Sequence, residues 1–120
     1  MLLIFTQDGL CVQKRPSKGL LANFWEFPAL DGHPSPEEIL QSLAGQGYVH
    51  PEIISPLGSA RHVFTHIVWH MQGWHIRVGA VPDGMETVGL EALRALPFPS
   101  ALRFYREIAE ELLAQPHGIW

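Results

Sequence analysis

Cysteine is nearly absent from this sequence: Cys11 is the single one in 120 residues. One cysteine makes no internal disulfide and no thiolate metal cluster. No apolar run reaches about 18 residues, the length a membrane-spanning helix needs. The opening MLLIFTQDGL has neither the basic start nor the long apolar centre of a secretory signal, so none is expected. An intracellular, reducing setting without a membrane fits these features. Segments rich in charge or low in complexity are missing too, with charged residues at 17% and hydrophobic ones at 47%. That balance supports one small core and one domain over residues 1–120. A basic excess is also missing. The net charge of −4 argues against strong, self-sufficient binding to nucleic acid. The cations are nevertheless clustered, with Lys14, Arg15 and Lys18 together and Arg61 before His62, while Glu37, Glu38, Glu107, Glu110 and Glu111 lie elsewhere.

What is present reads as alternating strands and helices. LLIFTQDGLCVQKRP predicts a hairpin turning at Asp8-Gly9, with Pro16 ending its second strand. WEFPAL predicts a short strand stopped by Pro28. Ser35 can cap a helix, Pro36 suits its first turn, and Glu38 completes a capping box. Ile39, Leu40, Leu43 and Ala44 give that helix an apolar face, and Gly45 or Gly47 can end it. EIISPLGSA and RHVFTHIVWHMQGWHIRVGAV predict strands, the second a long hairpin turning at Gln72-Gly73. GLEALRALPFP predicts a short helix. SALRFYREIAEELLAQ predicts a longer one with Leu102, Tyr105, Ala109 and Leu112 in one stripe and Arg103–Glu107 and Arg106–Glu110 as solvent-side pairs. The order β-β-β-α-β-β-β-α implies an α+β class, a mixed sheet with helices packed on it.

Three chemistries compete for residues 61–70, RHVFTHIVWH, and its surroundings. His66 and His70 have the i, i+4 spacing of a zinc-binding helix, but Ile67 stands where the catalytic glutamate belongs. On a strand, four residues span about 13 Å, too far for two ligands with Zn–N bonds of about 2 Å. Nucleophilic catalysis finds only Thr65 beside His66, and successive strand residues face opposite sides. Pyrophosphate hydrolysis would use the pattern G-x5-E-x7-R-E-U-x-E-E-x-G-U (U aliphatic) of Nudix hydrolases, whose glutamates hold Mg²⁺. Gly32 and Glu38 match its first half. Gln46, Gly47, His50 and Pro51 then stand where the arginine and the remaining carboxylates belong. Arg106–Leu112, REIAEEL, matches the second half only as a stretch of amphipathic helix.

The segments around these half-matches carry a resemblance. KRP at residues 14–16, GLLA at 19–22, WEFP at 25–28, HVFTH at 62–66 and LPFPSAL at 96–102 occur in an order that resembles the C-terminal domain of adenine DNA glycosylases of the MutY type, over most of the chain. The resemblance implies a Nudix (MutT-like) fold and a non-catalytic domain that helps recognise 8-oxoguanine opposite adenine during base excision repair. It also implies a partner domain N-terminal to this one, helical and catalytic, carrying an iron–sulfur cluster; none of that region is in these 120 residues. Cytoplasmic placement with DNA, as in bacteria, goes with it. The family's Phe-Ser-His recognition triplet maps onto Phe64, Thr65 and His66, with threonine in place of serine. Ala29-Leu30 stands where hydrolytic relatives often have Gly-Gly.

The implied chemistry is coherent. Guanine offers acceptors at N7 and O6 in the major groove, whereas the oxidised base has a hydrogen on N7 and an oxygen on C8. A hydroxyl donates or accepts, so Thr65 suits the test. Phe64 can wedge beside a base step, and His66 can meet the backbone or orient the loop. Lys14, Arg15, Lys18 and Arg61 are candidate phosphate contacts, which position without specifying. By pattern alone Phe64 reads equally well as a core residue, Thr65 and His66 read rather as ordinary strand residues, and His62, His70, Trp25 and Phe27 as structural; only the resemblance raises Phe64, Thr65 and His66 above that. Two other readings remain: an Mg²⁺-dependent nucleoside triphosphate hydrolase using Glu38 with Glu107 or Glu110, and a protein-docking module.

Overall fold

The first two strands are apolar on both faces, which suits the middle of a covered sheet. In the computed structural model, which describes residues 1–19, 21–64 and 66–115 with the exception of the Phe64 side chain, β1 (Leu2–Thr6) and β2 (Gly9–Lys14) take that place. Thr6 pairs with Gly9, so the loop between them is Gln7-Asp8, one residue earlier than the Asp8-Gly9 turn expected. β3 (Trp25–Glu26) is shorter than WEFPAL suggested. It pairs with the Gln13–Lys14 end of β2, while β6 (Glu86–Val88), a strand too short for its pattern to announce, pairs with Leu10–Val12.

β4 (Glu52–Phe64) and β5 (Ile67–Arg77) form the long hairpin. EIISPLGSA and RHVF belong to one strand, β4, with irregularities between Ile53 and Ser55 and between Leu57 and Ala60. The turn is not at Gln72-Gly73. Phe64 pairs with Ile67, which leaves residues 65–66 as the connection, and Gly73 sits within β5 opposite Leu57. A glycine is needed there for closeness: a Cβ on Gly73 would lie 2.3 Å from Cε1 of Tyr105. β5 joins β1 in parallel, Leu2 to Trp74 through Phe5 to Arg77, giving the path β3-β2-β1-β5-β4.

α1 (Pro36–Gln46) begins and ends as its residues dictate. Ser35 Oγ accepts from the Glu38 N–H and the Glu38 carboxylate accepts from the Ser35 N–H, while Gly47 closes it in the left-handed region at φ 103°. α2 (Leu90–Ala95), a 3-10 turn over Ser100–Leu102 and α3 (Arg103–Leu113) follow β6. The helices cover both faces of the sheet. On one side Ile39, Leu43 and Tyr48 close over Leu2, Ile4, Cys11 and Ile76. Burial pushes the Cys11 thiol up to about 11, which leaves it unreactive. On the other side Leu93, Phe98, Leu102, Tyr105 and Ala109 pack on Leu3, Phe5, Leu10, Val12 and Met71. The stripe of α3 is as expected, but its cations are used differently. Arg106 donates to the carbonyls of Leu93 (3.4 Å) and Arg94 (3.0 Å) and stacks over Phe98, and Glu110 pairs with Arg94 at 3.5 Å. No helix among the described residues is long and apolar enough to cross a membrane.

Candidate nucleic-acid interface

The β4–β5 hairpin is the arm on which the candidate residues gather. β1 begins level with Trp74, and the Met1 nitrogen donates to the Gln72 carbonyl at 2.8 Å. Outward of Gln72, β4 is the strand partner of β5 among the described residues, so the arm runs beyond the sheet. Its base is pinned by Tyr105, whose ring fills the space beside Gly73 and whose hydroxyl donates to the Gly58 carbonyl at 2.8 Å.

Phe64 ends β4 at the tip, and His66 lies there too. His66 is exposed in the turn; Thr65 and the Phe64 side chain lie outside the described residues. The tip is apolar as well as polar, with Val63, Val68 and Ile67 exposed by 57%, 46% and 64%. The four candidate phosphate contacts occupy one end of the sheet but not one patch. Lys14 and Lys18 are exposed near the end of β2, and continuing the β1–β2 register brings Lys14 level with Met1. Arg61 is on the arm, three strands across and three rows farther out, about 17 Å from Lys14 by strand spacing and rise. Arg15 is engaged: its guanidinium bonds Glu26 at 2.6 Å, and Gln13 holds the other oxygen of that carboxylate at 2.9 Å.

The histidine repeat also takes a different geometry from the single strand assumed for it. His62 is on β4 and pairs with Trp69, and His70 is on β5 and pairs with Arg61. They are neighbouring rows of a hairpin, whose side chains alternate between faces. Among the described residues no three His, Cys, Asp or Glu side chains gather as a metal site. The start of α1 tells the same story for Mg²⁺. Glu38, the carboxylate shared with the hydrolase pattern, is committed to the capping box, and its hydrogen bonds to Ser35 hold it below the usual carboxylate range. Gln46 ends the helix, Gly47 reverses the chain, and His50 takes φ 47°. The residues present do not fit the ion that pattern holds. Nor do Glu38 and Glu107 or Glu110 come together, because α1 and α3 lie on opposite faces of the sheet. Glu107 and Glu110 instead line a surface cleft of about 330 Å³ with Phe98, Arg103 and Arg106.

Comparison with known proteins decides the family. The NUDIX domain model matches residues 1–107. The chain belongs to the NUDIX domain family. Its fold is the α+β Nudix fold, seen again in three solved structures. The C-terminal domain of mouse MUTYH, in complex with human PCNA, is 20% identical with a TM-score of 0.60, over 92% of this chain and 84% of that one. RenU, a Nudix hydrolase from M. smegmatis, is 16% identical at 0.60, over 97% and 88%. A MutT, from work on the Aliivibrio salmonicida and Vibrio cholerae proteins, is 17% identical at 0.51, over 92% and 94%. At these identities the likeness is one of fold. On this Nudix frame, sequence reasoning missed one feature of the site. The loop carrying Asp31, Gly32 and His33 runs beside Trp69 and His70 of the arm and encloses about 220 Å³ with them. The signal lay in topology: the parallel pairing of β1 with β5 brings that loop to the arm, and no local pattern announces it.

Proposed function

We propose that this Nudix domain is the non-catalytic lesion-recognition domain of a MutY-type adenine DNA glycosylase. It reads 8-oxoguanine opposite adenine, while a separate N-terminal domain carries the catalytic acids and the iron–sulfur cluster. The observation that carries the reading is the projecting arm with Phe64 and His66 at its tip, on a Nudix frame whose Mg²⁺ carboxylates are replaced. An exposed turn can enter a groove that a flat sheet cannot. Apolar side chains around the turn suit contact with base steps, and Lys14, Lys18 and Arg61 suit the phosphates on either side. The likeness in fold to the MUTYH domain supports the same reading.

The test is Thr65→Ala in the intact parent, measured as single-turnover adenine excision. Loss of one hydrogen bond, about 1–1.5 kcal/mol, lowers the preference for 8-oxoguanine·A over G·A by about tenfold. Unchanged discrimination removes Thr65 from the mechanism. Mg²⁺-dependent hydrolysis of nucleoside triphosphates by this chain, abolished in Glu38→Gln, would overturn the reading as a whole. Capture of repair proteins with no effect on DNA would favour a docking module.

A further inference from the structure

Beyond Gln72 the arm is a two-stranded ribbon, and both of its edges lie outside the strand pairs formed by the described residues. An open edge is a row of unpaired N–H and C=O groups that takes up another strand, so proteins blunt such edges with prolines, bulges and covers. The inner half of β4 is blunted in this way. Pro56 has no N–H, the register shifts between Ile53 and Ser55 and between Leu57 and Ala60, and the Gly58 carbonyl accepts from Tyr105. The outer half keeps its edge open: from Ala60, opposite Met71, to Phe64, opposite Ile67, the register runs without a shift, and the stretch holds no proline, glycine or lysine. The other edge of the arm has a neighbour, the loop of Asp31, Gly32 and His33, beside Trp69, His70 and Gln72.

The side chains along that open stretch select what can lie on it. Arg61 and Val63 are two residues apart on a strand and so share one face, where Val68 lies beside Val63 as its cross-strand partner. Arg61 is exposed, and the two valines are exposed by 57% and 46%. Residues 53–82 contain no aspartate or glutamate, although the chain carries a net charge of −4. Arg61 takes no part in the described ion pairs, Arg15–Glu26, Arg77–Glu52 and Arg94–Glu110. A second copy of the same strand would bring another Arg61 and no carboxylate between residues 53 and 64, so like charge opposes self-pairing. We propose that Ala60–Phe64 receives an extended segment of a partner protein as a third strand of the arm, with an acidic side chain opposite Arg61 and an apolar one opposite Val63. In strand addition, main-chain hydrogen bonds supply affinity and alternate side chains supply specificity. The segment therefore carries an acidic and an apolar residue two positions apart. This surface runs along the side of the arm, and its use is independent of what the turn reads.

The probe is the fluorescein-labelled peptide Thr-Glu-Thr-Val-Thr-Glu-Thr, followed by anisotropy with this chain at low salt. Its symmetry places a glutamate opposite Arg61 whenever the valine lies opposite Val63, in either strand direction. The expected result is saturable binding that weakens about tenfold when both glutamates become lysine, since a repulsive cross-strand pair then replaces an attractive one. Arg61→Glu reverses the order of the two peptides, whereas Arg103→Glu, the same charge change on α3, keeps it. Both arginines are exposed, and circular dichroism checks the fold. Alternate amides of a strand point to opposite sides. One peptide is therefore N-methylated at the two inner threonines and another at the valine and glutamates; one of the two binds and the other does not. Backbone amide exchange, read by NMR, slows at alternate positions within Ala60–Phe64 when the peptide is bound. No saturable binding up to about 1 mM overturns the proposal, as does equal affinity for the glutamate and lysine peptides. The same result for both N-methylated peptides overturns strand addition. Slower exchange of those amides without peptide, on raising the protein concentration, assigns the edge to a second copy, and on adding a plain duplex, to DNA; either overturns the acidic partner.

Discussion

Gly73→Ala is the sharpest probe of how the arm is held. The added Cβ would lie 2.3 Å from Tyr105 Cε1 and 3.1 Å from Leu57 Cβ. Carbon atoms rest at about 3.5 Å or more, so the ring has to retreat by about 1.2 Å. It has little room, being fully buried and tied through its hydroxyl to Gly58. Overpacking of this kind costs about 1–3 kcal/mol, toward the upper end where the neighbour cannot yield. Alanine recovers about 0.5–1 kcal/mol through lower chain entropy, leaving a net loss of about 2 kcal/mol. Urea unfolding reads this as a lower midpoint at unchanged slope, and calorimetry as a melting temperature lower by about 8 °C. Pairing the change with Tyr105→Leu separates causes. Removal of the ring removes the clash, so the double variant is more stable than the sum of the two losses by about 2 kcal/mol. Additive losses, or a Gly73→Ala within about 0.5 kcal/mol of the parent, would refute the contact.

Two further outcomes follow from single residues. His75 is 4% exposed, its Nε2 has no hydrogen-bond partner among the described residues, and burial holds its pKa below the ordinary 6.5. The unfolded chain therefore takes up the proton first. Stability is full above about pH 6.5 and falls as pH drops below it toward the folded value; His75→Leu flattens that part of the profile in urea titrations. Ser35→Ala removes the acceptor for the Glu38 N–H and costs about 1 kcal/mol by the same assay, whereas an unchanged midpoint would show that α1 does not depend on its cap.

Local features were legible because their causes are local. Ser35, Glu38 and Gly47 bound α1 as their chemistry dictates, and Tyr105 and Ala109 fall on the buried stripe the 3.6-residue period marks. The arm was misread at both ends for one reason. Gly73 carries a turn signal but answers a packing demand from residue 105, and the true connection, residues 65–66, has no turn chemistry of its own. The partner of β1, some seventy residues on, and the three-residue β6 depend on tertiary pairing that no periodicity records. In the candidate site, the charges of Lys14, Arg15, Lys18 and Arg61 were visible. What each does was not, since Arg15 is answered by Glu26 across a strand pair and Arg61 faces His70 only because the hairpin folds where it does.

The pin at Tyr105 has a mechanical consequence. From Gly58 to Phe64 the arm extends about 20 Å beyond its fastening, by strand rise. It is a cantilever, and a cantilever magnifies error. A rotation of about 5° at the base sweeps the tip through nearly 2 Å, more than the tolerance of a hydrogen bond. Under the proposed function, a turn placed to test one atom of a base is only as accurate as the bearing on which it swings. Under that reading, the ring and hydroxyl of Tyr105, at the base of the arm, set the accuracy of the pointer.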